Sequence, residues 1–122
     1  MTLIFIGLGG FLGALARYGI TRWAETKWEG LMPYGTLLAN VIGSFLLGLL
    51  MSIFLEKNIH PGIKVGLTTG FLGAFTTFST FGYETASLII KNNIPTAGLN
   101  IFANLFLGLL FVFMGIYLGK LI

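Results

Sequence analysis

Thr68-Thr69-Gly70-Phe71-Leu72-Gly73-Ala74-Phe75-Thr76-Thr77-Phe78-Ser79-Thr80-Phe81-Gly82 interrupts an otherwise apolar run from Val65 to Ile90. Hydroxyls, glycines and β-branched threonines all weaken an α-helix relative to leucine or alanine. The stretch therefore has two readings. In one, a membrane helix breaks near its midpoint, and the freed carbonyls and amides find partners in protein or in a wet cavity, because lipid supplies none. Freed carbonyls are hard oxygen ligands of the kind that hold cations in unwound transporter segments. In the other, the helix is continuous and its hydroxyls bond back to their own preceding turn.

The surrounding composition makes lipid the solvent in either case. Of 122 residues, 56% are hydrophobic and only 9% charged, against about a quarter charged in soluble domains. Apolar runs near 3–21, 34–55, 65–90 and 97–119 are each long enough to cross the hydrocarbon layer. They predict an all-α membrane protein with a single transmembrane domain, residues 1–122, of four helices and with both termini on one side. The connections 56–62 and 91–95 are short turns rich in Asn, Pro and Gly. Residues Arg22 to Pro33 mix Trp23, Trp28, Lys27 and two glutamates, a composition suited to the headgroup interface. Ala14-Leu15-Ala16 fits a signal-peptide cleavage site, but no Lys or Arg precedes it and the apolar run continues past Arg17, so the first span is read as retained. The seven basic residues are scattered from Arg17 to Lys120, which argues against nucleic acid. Without cysteine the chain can form neither a disulfide nor a thiolate site.

Orientation has little to act on. Lys57, Lys64 and Lys120 lie on the side of the termini, and Arg22, Lys27 and Lys91, with Arg17 nearby, on the other. So weak a bias permits insertion in both directions and a dimer of opposite-facing copies, although a dominant first span would still impose one orientation. A weak self-match at an offset of 60 residues, with Gly10-Phe11-Leu12-Gly13-Ala14 recurring as Gly70-Phe71-Leu72-Gly73-Ala74 and Thr36 and Asn40 aligning with Thr96 and Asn100, is compatible with duplication of a two-span unit.

Small residues at four-residue spacing (Gly9 and Gly13, Ala39 and Gly43, Gly66 and Gly70, Gly115 and Gly119) predict close helix contacts. Phe78 and Phe81 share a helix face with Thr77, Ser79 and Thr80 around them. Their rings either pack or present positive edges to an anion. Asn40, with Thr36 and Ser44 a turn away on either side, and Asn104, with Asn100, place amides deep in spans, where they serve as interhelical glue or as anion donors. Glu84 is the only carboxylate within a span; it and Arg17 should face protein or water. No nucleophile–base pair or metal-ligand cluster is present, and the lone His60 stands in a turn beside Pro61 with no role assigned. An enzyme is therefore not expected.

With these residues in view, the chain resembles the Fluc (CrcB-type) family of fluoride channels along nearly its whole length. The matching stretches are Gly9 to Tyr18, Gly35 to Phe45 and Gly70 to Phe81, of which Thr76-Thr77-Phe78-Ser79-Thr80-Phe81 is the most specific. The resemblance implies a fluoride-selective, multi-pass channel in the plasma membrane of a prokaryote, passively exporting cytoplasmic fluoride and so protecting the cell from its toxicity. It implies a broken third helix and an antiparallel, dual-topology dimer with two pores. It also implies a structural sodium ion at the dimer centre, held by the backbone carbonyls of Gly73 and Thr76. Phe78 and Phe81 would present ring edges to fluoride, Asn40 would donate along its route, and Thr36 and Glu84 would belong to a polar cluster near one pore end. Where the family commonly has a tyrosine and a serine in its fourth helix, this chain has Asn100 and Asn104. These departures admit a homologous, non-identical partner as well as a homodimer. A small multidrug-resistance-type antiporter also has four spans but needs a titratable carboxylate in its first, and none is present. A purely structural subunit would account for the glycines but not for the hydroxyl-rich block.

Overall fold

The computed structural model describes residues 1–122, and its regular structure is all helix, with no strand. Helix α1 runs Thr2–Lys27, α2 Tyr34–Glu56, α3 Pro61–Val65, α4 Gly73–Phe75, α5 Phe78–Ile90 and α6 Ile94–Leu121, with a π-helical segment Gly66–Leu72 between α3 and α4. Three of these, α1, α2 and α6, are each long and apolar enough to cross a membrane. The segment 61–90 is broken into pieces, which settles the first of the two readings above. Helix α1 also continues through Arg22 to Lys27, where the sequence alone ended the span near residue 21. The interfacial residues extend the helix because nothing between Gly19 and Gly30 breaks it.

Local signals account for the ends. Pro61 and Pro95 stand in the first turns of α3 and α6, where a missing N–H costs nothing. The His60 Nδ1 accepts the Gly62 N–H at 3.0 Å and caps α3, a role the sequence had not assigned. Asn92 takes a left-handed conformation (φ 64°), with its N–H donating to Ile89 O at 3.0 Å and that of Asn93 to Leu88 O at 2.8 Å. This is the Schellman termination of α5.

Only 24 of the 122 residues are buried within the chain, so packing rather than an oil-drop core must hold the helices together, as is general in lipid. Two glycine seams do this. Helix α1 lies against the π-helical segment, where a Cβ at Gly9 would overlap the Gly66 carbonyl and one at Gly13 the Phe71 carbonyl. Helix α2 lies against α6 in the same way, a Cβ at Gly48 overlapping the Val112 carbonyl and one at Gly115 the Phe45 carbonyl. The expected pairs at Gly9/Gly13, Gly66/Gly70 and Gly115/Gly119 thus mark real backbone contacts. Large apolar side chains cover the outside: Leu3, Leu55 and Phe113 are each more than two-thirds exposed. A surface of that kind suits hydrocarbon and not water.

Candidate functional site

The break falls at Thr76 and Thr77. Both are extended (φ −85°, ψ 157° and φ −149°, ψ 121°), the conformation β-branched residues tolerate best. The Thr76 N–H and hydroxyl both donate to Leu72 O, at 3.0 and 2.9 Å, and so close the helical turn before the break. Thr77 then opens the next helix: its Oγ1 accepts the Thr80 N–H at 3.2 Å while its hydroxyl donates to Thr80 Oγ1 at 3.0 Å. That is an N-cap.

Two extended residues leave several backbone groups without helical partners. The Thr77 N–H donates to Asn40 Oδ1 at 2.8 Å, and the Thr77 carbonyl accepts from Asn40 Nδ2 at 3.1 Å. One side-chain amide from α2 thus satisfies both polar groups of the residue, as a paired strand would. Asn40 Nδ2 also donates to Asn104 Oδ1 at 2.9 Å, so both of its protons are engaged within the chain. The Ala74 carbonyl accepts from Arg17 Nε of α1 at 3.0 Å. No hydrogen bond from the chain reaches the carbonyls of Gly73 and Thr76.

Around this break lies a cleft of about 350 Å³, lined by Asn40, Gly73, Thr76, Thr77, Phe78, Phe81 and Asn104 together with Ser44, Thr68 and apolar neighbours. Seven of the residues singled out in the sequence therefore share one wall. The Phe78 and Phe81 rings lie 5.7 Å apart at 58°. Phe78 is 80% exposed, and Gly73 and Ser79 are exposed beside it. Thr80 packs as the partner of the Thr77 cap. Thr36 and Glu84 stand apart, in a second pocket of about 410 Å³ with Glu25, Glu29, Trp28 and Tyr34. Thr36 is buried there, and Glu84 Oε1 is buried without a hydrogen-bond partner.

Sequence reasoning missed Thr85 and the partners of the fourth-helix amides. Asn104 Nδ2 donates to Asn100 O at 2.9 Å and to Asn100 Oδ1 at 3.0 Å. Asn100 Nδ2 donates to Thr85 Oγ1 at 2.9 Å, and the Thr85 hydroxyl to Phe81 O at 2.8 Å. The four-residue spacings Phe81–Thr85 and Asn100–Asn104 were available as signals, but which helices meet was not.

A lipid-facing exterior wrapped around a broken helix and a cleft without charged side chains defines an integral membrane protein. The chain belongs to the family described as CrcB-like protein, Camphor Resistance (CrcB), whose model matches residues 4–116. It is 45% identical over 121 residues to the fluoride-specific ion channel FluC of Syntrophotalea carbinolica, covering 98% of each chain. It is 44% identical over 120 residues to the protein of the same name from Clostridium perfringens, covering 98% of this chain and 94% of that one. A third such channel, from Dehalococcoides mccartyi, is 45% identical over 121 residues, covering 98% and 93%. These relatives are named for ion conduction and not for a chemical reaction.

Proposed function

We propose that this chain is one half of a fluoride-selective channel in a prokaryotic cell membrane, and that the segment 61–90 makes the fourth crossing. The observation that carries the reading is the break at Thr76–Thr77 with Phe78, Ser79 and Gly73 exposed beside it. Open backbone at membrane depth must be covered by protein or line a wet path. A second copy across this face would do both. The near balance of Lys and Arg on the two sides supports opposite insertion of the two copies.

Fluoride is small and strongly hydrated, so it crosses only where something replaces its water. The hydroxyls of Ser79 and Thr80 and the ring edges of Phe78 and Phe81 can do so; a full positive charge would hold the ion too tightly to release it. No Lys or Arg lines the cleft. The unpaired carbonyls of Gly73 and Thr76 fit the oxygen-only donor set that a sodium ion takes. They would hold it with the partner's equivalents, and the ion would supply a fixed positive charge at the centre of the dimer. Thr36 and Glu84 would form the polar mouth. Fluoride that enters an acid-exposed cell as neutral HF dissociates inside, and a passive channel lets the anion leave down a negative-inside potential. That is the protective role the reading assigns.

The purified protein in potassium fluoride-loaded liposomes should release fluoride to an ion-selective electrode when valinomycin clamps the potential, and should retain chloride under the same conditions. Equal chloride release, or no fluoride release, would overturn the assignment.

A further inference from the structure

We infer that Asn100 and Asn104 are positioning residues: with Asn40 and Thr85 they form a one-way hydrogen-bond circuit that holds both ends of the first turn of α5, and with it the phenylalanine pair. The inference rests on the channel reading above and concerns what sets the geometry of the path.

Every donor in the circuit points the same way. The Thr77 N–H donates to Asn40 Oδ1, Asn40 Nδ2 to Asn104 Oδ1, Asn104 Nδ2 to Asn100 Oδ1, Asn100 Nδ2 to Thr85 Oγ1, and the Thr85 hydroxyl to the Phe81 carbonyl, at 2.8 to 3.0 Å. The path leaves the broken segment at Thr77, crosses α2 and α6, and returns four residues later at Phe81. Chains of hydrogen bonds aligned in this way polarise one another. The alignment also leaves no choice of amide orientation. The Thr77 N–H can only donate, so Asn40 turns its oxygen to it, and the Asn100 carbonyl can only accept, so Asn104 turns its nitrogen toward Asn100 and leaves the Asn100 nitrogen for Thr85 Oγ1. The Asn100 oxygen must then accept from Asn104, and the Asn104 oxygen from Asn40. Asn40 keeps its oxygen toward the Thr77 N–H and its nitrogen toward the Thr77 carbonyl. Asn100 is fully buried and Asn104 nearly so, which limits the competition of solvent for the far half of the circuit, while Asn40 and Asn104 also line the cleft. It follows that Asn40 acts on the ion path through the Thr77 peptide, which it holds at both its N–H and its carbonyl.

Asn104 bonds neither Thr77 nor Phe81, which makes a test at a distance available. Backbone amide exchange would be followed by NMR on the full-length 15N-labelled protein in lipid nanodiscs, for Asn104→Ala and, in case that variant folds poorly, Asn104→Ser. The Thr77 N–H should exchange about tenfold faster in both, the effect of loosening one net hydrogen bond, while α6 amides from Gly108 to Ile116 keep their protection. Unchanged Thr77 exchange, or a rise shared by all of α6, would overturn the circuit. In liposomes, fluoride efflux from the Asn40→Ala/Asn104→Ala double variant should be no lower than from Asn40→Ala alone; losses that multiply would show two independent roles and sink the proposal. Wild-type vesicles that pass no fluoride would overturn the channel reading instead, and the exchange arm would still decide the circuit.

Discussion

A single methyl group at Gly43 tests whether α2 sets the geometry of the break. Gly43 is buried one turn beyond Asn40, and a Cβ there would overlap the Thr76 methyl and lie 3.3 Å from Phe75 Cδ2. Thr76 cannot swing that methyl aside without giving up the 2.9 Å bond from its hydroxyl to Leu72 O. The strand-like residues cannot retreat together either, because Asn40 holds both polar groups of Thr77. Overpacking of this kind costs about 1–3 kcal/mol, and losing the hydroxyl bond adds about 1 kcal/mol. The better helix propensity of alanine returns about 1 kcal/mol. Gly43→Ala should therefore lower stability by roughly 1–3 kcal/mol. It should also lower fluoride efflux, a barrier raised by about 1.4 kcal/mol reading as a tenfold loss. Gly98→Ala is the control, for a Cβ there meets nothing within 4 Å. Denaturant titration in micelles reads the first effect and a fluoride electrode on liposomes the second. A Gly43→Ala protein with wild-type flux and wild-type stability would refute the account of the break.

Other substitutions probe separate parts of the same region. Phe78→Ile and Phe81→Ile keep bulk and apolarity but remove the ring edge, so each should lower fluoride efflux at least tenfold while the protein elutes from size exclusion as the wild type does; unchanged efflux would take the rings off the path. Arg17→Leu strips the Ala74 carbonyl of its only side-chain donor. Leaving that half-buried acceptor bare should cost about 1 kcal/mol, read as a lower unfolding midpoint, whereas an unchanged midpoint would mean that water or a second copy already serves that carbonyl.

Much of the helical layout is legible in the residues themselves. Apolar runs bounded by Asn, Pro and Gly mark where helices start and stop, because turn chemistry is local. The weakness at Thr76–Thr77 is also local, and the two readings of that stretch differ only in whether partners exist for the freed backbone. The π-helical segment Gly66–Leu72 was not legible: no residue in it signals the wider turn, and its close contact with α1 at Gly9 and Gly13 joins segments far apart in the chain. Nor was the continuation of α1 to Lys27, where polar interfacial residues conceal a helix that no residue breaks. His60 read as an idle turn residue because a capping bond to Gly62 depends on one ring orientation.

By itself the sequence determined that this chain belongs in lipid, that it is helical, and that one of its apolar runs is rich enough in hydroxyls and glycine for a break to be one of two readings. These are properties of composition and of neighbours within a turn. The tertiary structure alone decided which groups answer the broken backbone: Asn40 for Thr77, Arg17 for Ala74, and Asn104, Asn100 and Thr85 in a return path to Phe81. An amide buried among helices will take any partner of complementary polarity, so its spacing along the chain says that it needs one and only the packing says which.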